Sequence, residues 1–282
     1  MRDNLTWIFF GIVLTFSGAR ILSAQPHVGD SDTSSAQAFQ NRDWQAVIQL
    51  LDPESSGKLP DLSEADYYRL GVSYQRNGNN QLYRRALACL KKSLEQNAHS
   101  LATLEALAEI ACLVQDETTL NECLQRCGHN AKILTQAGRH HLNRGNWHKA
   151  RDEHQLSKQY FQTASLLLAR AILCDPQLAT PRIAFAYLHA AHGRYRDASV
   201  EMMRAEELHP LKPSEYHELT RWLYHLDETQ AALDSIEKGL ALTKEGSETM
   251  ESARAILLGD LGRHDEAAEQ YRRIFEQNFL HR

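Results

Sequence analysis

The feature that most constrains this chain is alanine returning at a fixed step. Ala164, Ala198 and Ala232 fall 34 residues apart, and Ala267 follows after 35. Pro176 and Pro210 keep the same step, while Gly193, Asp227 and Gly262 hold a turn position between helix-forming runs at nearly the same interval. A period of this size marks a stack of small units, none able to bury its apolar face alone.

One unit shows the physics. In IAFAYLHAAHGRYRDASVEMMRAEELHP, Phe185, Ala186 and His189 share a face, because steps of three and four return to the same side of a helix. Gly193 supplies a turn at little steric cost. Ala198, Met202 and Ala205 form the facing stripe of a second helix, where small residues allow close approach and Met202 fills the gap between units. Pro210 cannot continue that helix.

The unit resembles the tetratricopeptide repeat (TPR) family. That family places a small residue, an aromatic, Gly, an aromatic, Ala, a large apolar residue, a small residue and Pro at set intervals. Ala186, His189, Gly193, Tyr195, Ala198, Met202, Ala205 and Pro210 occupy those places, with His189 the one departure. The resemblance implies an all-α fold, a right-handed superhelical α-solenoid of helix-turn-helix repeats.

In chain order, residues 1–24 have the layout of a secretory signal peptide: Arg2, an apolar run from Leu5 to Phe16, then small residues. Cleavage is expected after Ala24, with Ala19 the second choice and an uncleaved anchor the alternative; the mature chain would then be periplasmic or extracellular. Residues 25–37 read as a flexible lead-in, and 38–282 as the solenoid, with about six repeats, best formed over 164–279. Residues 38–53 look like the second half of a repeat, with Trp44 at an aromatic place. Tyr67, Leu70, Gly71, Tyr74 and Gly78 open the next unit. Gly138, Gly145 and Trp147 open another, with Gly145 at the turn place, which leaves an insertion near 149–162 that would extend the second helix or form a short one outside the stack. In the last unit, Arg254 falls where a small residue is usual and Ile274 replaces another. Phe275, Phe279 and Leu280 leave an apolar terminal face, a route to a homo-oligomer.

Net charge is −5 with the acids dispersed, so neither nucleic acid nor an anionic membrane surface is an expected partner; membrane contact is expected only through an uncleaved signal. The five cysteines fit neither a disulfide framework nor a metal set, though one bridge among Cys112, Cys123 and Cys127 stays open. Nucleophile elbows, zinc-protease motifs and phosphate loops are missing from the sequence. The chain is therefore expected to be no enzyme and to carry no cofactor. A metal site at His140, His141, His148 and His154 is the less favoured alternative, since the spacing fits no recognised ligand set and His141 sits at a packing position.

The resemblance implies that first helices line a concave groove where a protein or peptide binds. Carried onto this chain, the groove residues are Arg139, Asn143, Tyr187, His217, Arg221, Tyr224 and His225. The Lys-Asn pattern that clamps chaperone tails in some members is missing. The expected function is a protein–protein interaction adaptor of the cell envelope, with self-assembly through the C-terminal face as the alternative.

Overall fold

Seven residues with positive φ punctuate the computed structural model, which describes residues 34–53, 57–78, 80–243 and 247–280. They are Arg42, Gly78, Gln115, Asp152, Gly193, Asp227 and Gly262, with φ between 56° and 76°. Each stands in the turn between two helices, where a left-handed residue ends the first and redirects the chain. The described residues hold fourteen helices and no strand.

The helices pair in order: α1 (Ser34–Gln40) with α2 (Trp44–Leu51), α3 (Glu64–Asn77) with α4 (Asn80–Gln96), and α5 (Leu101–Val114) with α6 (Glu117–Arg126). They continue with α7 (Ala131–Lys149) and α8 (His154–Cys174), α9 (Ala179–Ala191) and α10 (Tyr195–Leu208), α11 (Pro213–His225) and α12 (Thr229–Ala241), then α13 (Glu248–Asp260) and α14 (His264–Leu280). Local chemistry sets several starts. Asp43, Ser63, Asp116 and Asn130 each accept a backbone N–H of the first turn, satisfying donors a helix leaves open. Pro213 opens α11, where its missing N–H costs nothing.

The periodic alanines lie at the helix seams. Ala164, Ala198 and Ala232 are fully buried and Ala267 nearly so. A first core runs from Ile48 to Ala171 and includes Leu70, Tyr74, Leu90, Leu107 and Leu134. A second runs from Ala179 to Ala267 around Met202, Leu219, Trp222 and Ile236. A small cluster of Leu142, Phe161, Ala164, Leu168, Ala184 and Leu188 lies between them.

Four expectations change. The segment after residue 33 is a complete hairpin, with Arg42 in its turn, rather than a lead-in and half a repeat. Gly145 is not a turn: α7 runs through it for 19 residues, α8 takes up the chain for 21, and the turn falls at Asp152. The residues read as an insertion at 149–162 thus lengthen both helices of one hairpin. In the last hairpin, the buried small residue is Ala255, one place beyond Arg254, which instead reaches Glu237 and Gln270. All five cysteines are free; Cys112 donates to the Gln136 carbonyl at 3.4 Å, and burial pushes the Cys112 and Cys123 thiols up to about 12. The signal segment and its cleavage site lie outside the described residues, as do the side chains of Phe279 and Leu280. No described helix is long and apolar enough to cross a membrane.

Candidate functional site: the inner face of the odd-numbered helices

The odd-numbered helices form one continuous face. α1 touches α3, α3 touches α5, α5 touches α7 and α7 touches α9. The principal contacts of each even-numbered helix are with its own partner and the next odd-numbered one. Odd-numbered helices therefore follow the shorter, inner path of the stack. From α9 to α11 that face is joined by the Tyr187 and Trp222 rings, edge to face with centroids 5.6 Å apart.

Three of the expected groove residues converge. The half-buried phenol of Tyr187 on α9 is pushed well above its ordinary range by burial; Glu218 and Glu215 of α11 add to that, while Arg139 of α7 and Arg221 of α11 oppose it. Charged groups from both neighbouring odd-numbered helices therefore bear on a single hydroxyl. Arg221 is held within its helix by both carboxylate oxygens of Glu218, at 2.9 and 3.0 Å. His217 stands one turn earlier, its Nε2 buried without a hydrogen-bond partner among the described residues, and burial lowers its affinity for a proton.

The others serve different ends. Tyr224 donates to Asp260 of α13 at 2.9 Å, tying two hairpins together. His225 is exposed at the turn edge and stacks on Tyr195 of α10, with centroids 4.7 Å apart. Asn143 lies exposed near the end of α7.

Sequence reasoning missed the forward half of this face. Burial raises the Tyr68 phenol on α3, and Glu105 on α5 adds to it. Glu105 also accepts from Asn130 and Lys132, each at 2.9 Å, and Arg76 pairs with Glu109 at 3.6 Å. Counting back three and forward one from the packing residues Gly71 and Ala108 reaches Tyr68, Glu105 and Glu109, so the same register would have found them.

The histidines do not assemble around a metal position. His148 stacks on Tyr160 of α8 at 5.1 Å, and His141 lies 5.7 Å from the same ring. His140 is buried, with Nε2 3.5 Å from a Glu117 carboxylate oxygen that the Tyr160 hydroxyl also approaches at 3.5 Å. His148 binds Glu153 through Nδ1. His154 is exposed at the first position of α8. Two imidazoles thus pack on one tyrosine, with His140 against His141, and no group of three or more metal-binding side chains occurs among the described residues.

No model of a known protein family matches the sequence, and no curated protein matches it. Solved structures match its fold. The chain is similar to PilF of Pseudomonas aeruginosa, at 18% identity over 73% of this chain and 88% of that one, with a TM-score of 0.56. PilW, described as a widely conserved type IV pilus biogenesis factor, aligns at 19% identity over 79% and 96%, with a TM-score of 0.55. TTC0263, a thermophilic TPR protein of Thermus thermophilus, aligns at 18% over 70% and 99%, again with a TM-score of 0.55. The fold of this chain is that of the tetratricopeptide-repeat solenoids.

Proposed function

We propose that this chain is a non-enzymatic scaffold of the cell envelope that binds a protein or peptide segment along the inner face of its odd-numbered helices. The observation that carries the reading is the edge-to-face contact of Tyr187 on Trp222, which joins α9 to α11 beside the Arg221–Glu218 pair. A half-buried aromatic flanked by charges of both signs suits an extended segment, offering one apolar seat and polar groups on either side. The envelope assignment rests on the export-signal pattern of residues 1–24 and on fold likeness to PilW.

The test places a photoreactive phenylalanine analogue at Asn143 of α7, an expected groove position, and at Leu166 on the exposed side of α8, in the native envelope. Discrete crosslinked products are expected from position 143, none from 166, with loss of the former when Arg221→Glu is added. The same products from both positions, or products indifferent to Arg221→Glu, would overturn the groove. Fractionation that leaves the chain in the cytoplasm would overturn the envelope assignment.

A further inference from the structure

The long hairpin carries a feature that the inner face does not explain. Its neighbours end short of its tip. The start of α6 reaches α7 at His140 and Arg144 through Glu117, at 3.5 and 3.8 Å. On the other side, Lys149 donates to the carbonyl of Ala191, the last residue of α9, and Phe161 packs on His192 with rings 4.8 Å apart. The turn at 150–153 and the first turn of α8 therefore lie beyond these contacts with the adjacent hairpins.

That overhang combines exposed apolar surface with unspent positive charge. Trp147 is 47% exposed and Leu156 43%. The guanidinium of Arg151 lies 3.5 Å over the Trp147 ring, and Arg144 approaches the same ring at 5.4 Å. Arg144 spends its charge on Glu117, but Arg151 and Lys158 are exposed and make no ion pair among the described residues. Among the described residues Lys149 has only its bond to a backbone carbonyl. Arg194 and Arg196, exposed at the next turn, make no ion pair among the described residues either. Most other cations in the stack are paired, and the chain as a whole carries −5. A local basic patch on an acidic chain is a recruitment feature.

We propose that this overhang is a second docking surface, for an acidic segment of a protein partner. Its carboxylates meet Arg151, Lys149 and Lys158, and its apolar side chain seats on Trp147 and Leu156. Stacking on the indole fixes the Arg151 plane, so that its fork of N–H groups is set for two-point contact with a carboxylate. Trp and Arg are the residues that most often dominate binding energy at interfaces. The stacked guanidinium also covers one face of the indole, and Asp152 and Glu153 stand beside the cations. Both features suit discrete carboxylates better than a uniformly anionic lipid surface.

The probe is a labelled peptide in which glutamates flank leucine, titrated by fluorescence anisotropy onto the full chain, beside its glutamine counterpart and vesicles containing phosphatidylglycerol. The glutamate peptide is expected to bind. Trp147→Ala and Arg151→Gln are each expected to weaken it about fivefold or more, with circular dichroism unchanged, because both side chains are surface groups. Raising salt from about 50 to about 500 mM should weaken it as well. Arg221→Glu on the inner face should leave it unaltered, which separates this surface from the groove. Failure of the glutamate peptide to bind, equal binding by the glutamine peptide, wild-type affinity in both variants, or capture of vesicles in place of the peptide would overturn the proposal.

Discussion

A Cβ placed on Gly145 of α7 would lie 2.5 Å from Cδ1 and Cε1 of the Phe161 ring on α8. Phe161 is buried in the cluster between the two larger cores, and an aromatic ring cannot fold out of the way. Two effects oppose each other in Gly145→Ala: helix propensity favours alanine by about 1 kcal/mol, and overpacking costs about 1–3 kcal/mol. Packing is expected to win. Urea unfolding should show net destabilisation; equal or greater stability would mean that the helices can separate freely there.

Gln115 and Gly193 stand at equivalent turn positions, with φ of 60° and 72°. A side chain in this region crowds its own carbonyl, so Gln115→Gly is expected to stabilise the fold by about 1 kcal/mol. Nothing lies within 4 Å of a Cβ at Gly193. Gly193→Ala should therefore cost about the same amount through the backbone alone. Thermal melting of the two variants should move in opposite directions, and a shared direction would refute the equivalence of the turns.

Asp52 closes α2 with a buried carboxylate that accepts from the Tyr74 hydroxyl at 2.6 Å and pairs with Arg85. Arg85 in turn donates to the Tyr74 oxygen at 3.3 Å and to the Gly57 carbonyl at 3.1 Å. Asp52→Ala leaves a phenol and a guanidinium without their acceptor, and should cost about 2–3 kcal/mol, the lower part of the range for such breaks because Arg85 is partly exposed. Asp52→Asn, which keeps an acceptor, should cost less. Chemical denaturation that ranks the two the other way would exclude the network as the cause.

Burial lowers the proton affinity of His141, His189 and His217 below the ordinary value of 6.5; His140, Arg194 and Arg221 respectively add to it through like charge. The unfolded chain then takes up protons before the folded one does. The stability from these neutral imidazoles is complete above 6.5 and is lost as pH falls through 6.5 toward the folded values. Between about pH 7.5 and about pH 5, the urea midpoint of the wild type should fall more steeply than that of His141→Gln, His189→Gln and His217→Gln combined. Parallel slopes would rule the three out.

What the sequence made legible follows from period and face. Ala164, Ala198, Ala232 and Ala267 could be placed at helix seams because a 34-residue step carries its own register, and Tyr187 and Arg221 could be placed on one side by counting turns. Gly145 misled because glycine serves two purposes, a left-handed turn or a close approach, and only the position of Phe161 distinguishes them. Arg254 misled because one added residue in the preceding connection moves every later position by one. The link between Asp52 and Arg85 spans 33 positions and follows no periodicity, so no local pattern could announce it.

The small bridge formed by Leu142, Phe161, Ala164, Leu168, Ala184 and Leu188 has a mechanical consequence. Each hairpin leans only on its immediate neighbours, so load travels along the stack link by link. Pulled from its ends, the chain is expected to yield hairpin by hairpin, and the bridge is the link through which the two larger cores feel each other's load.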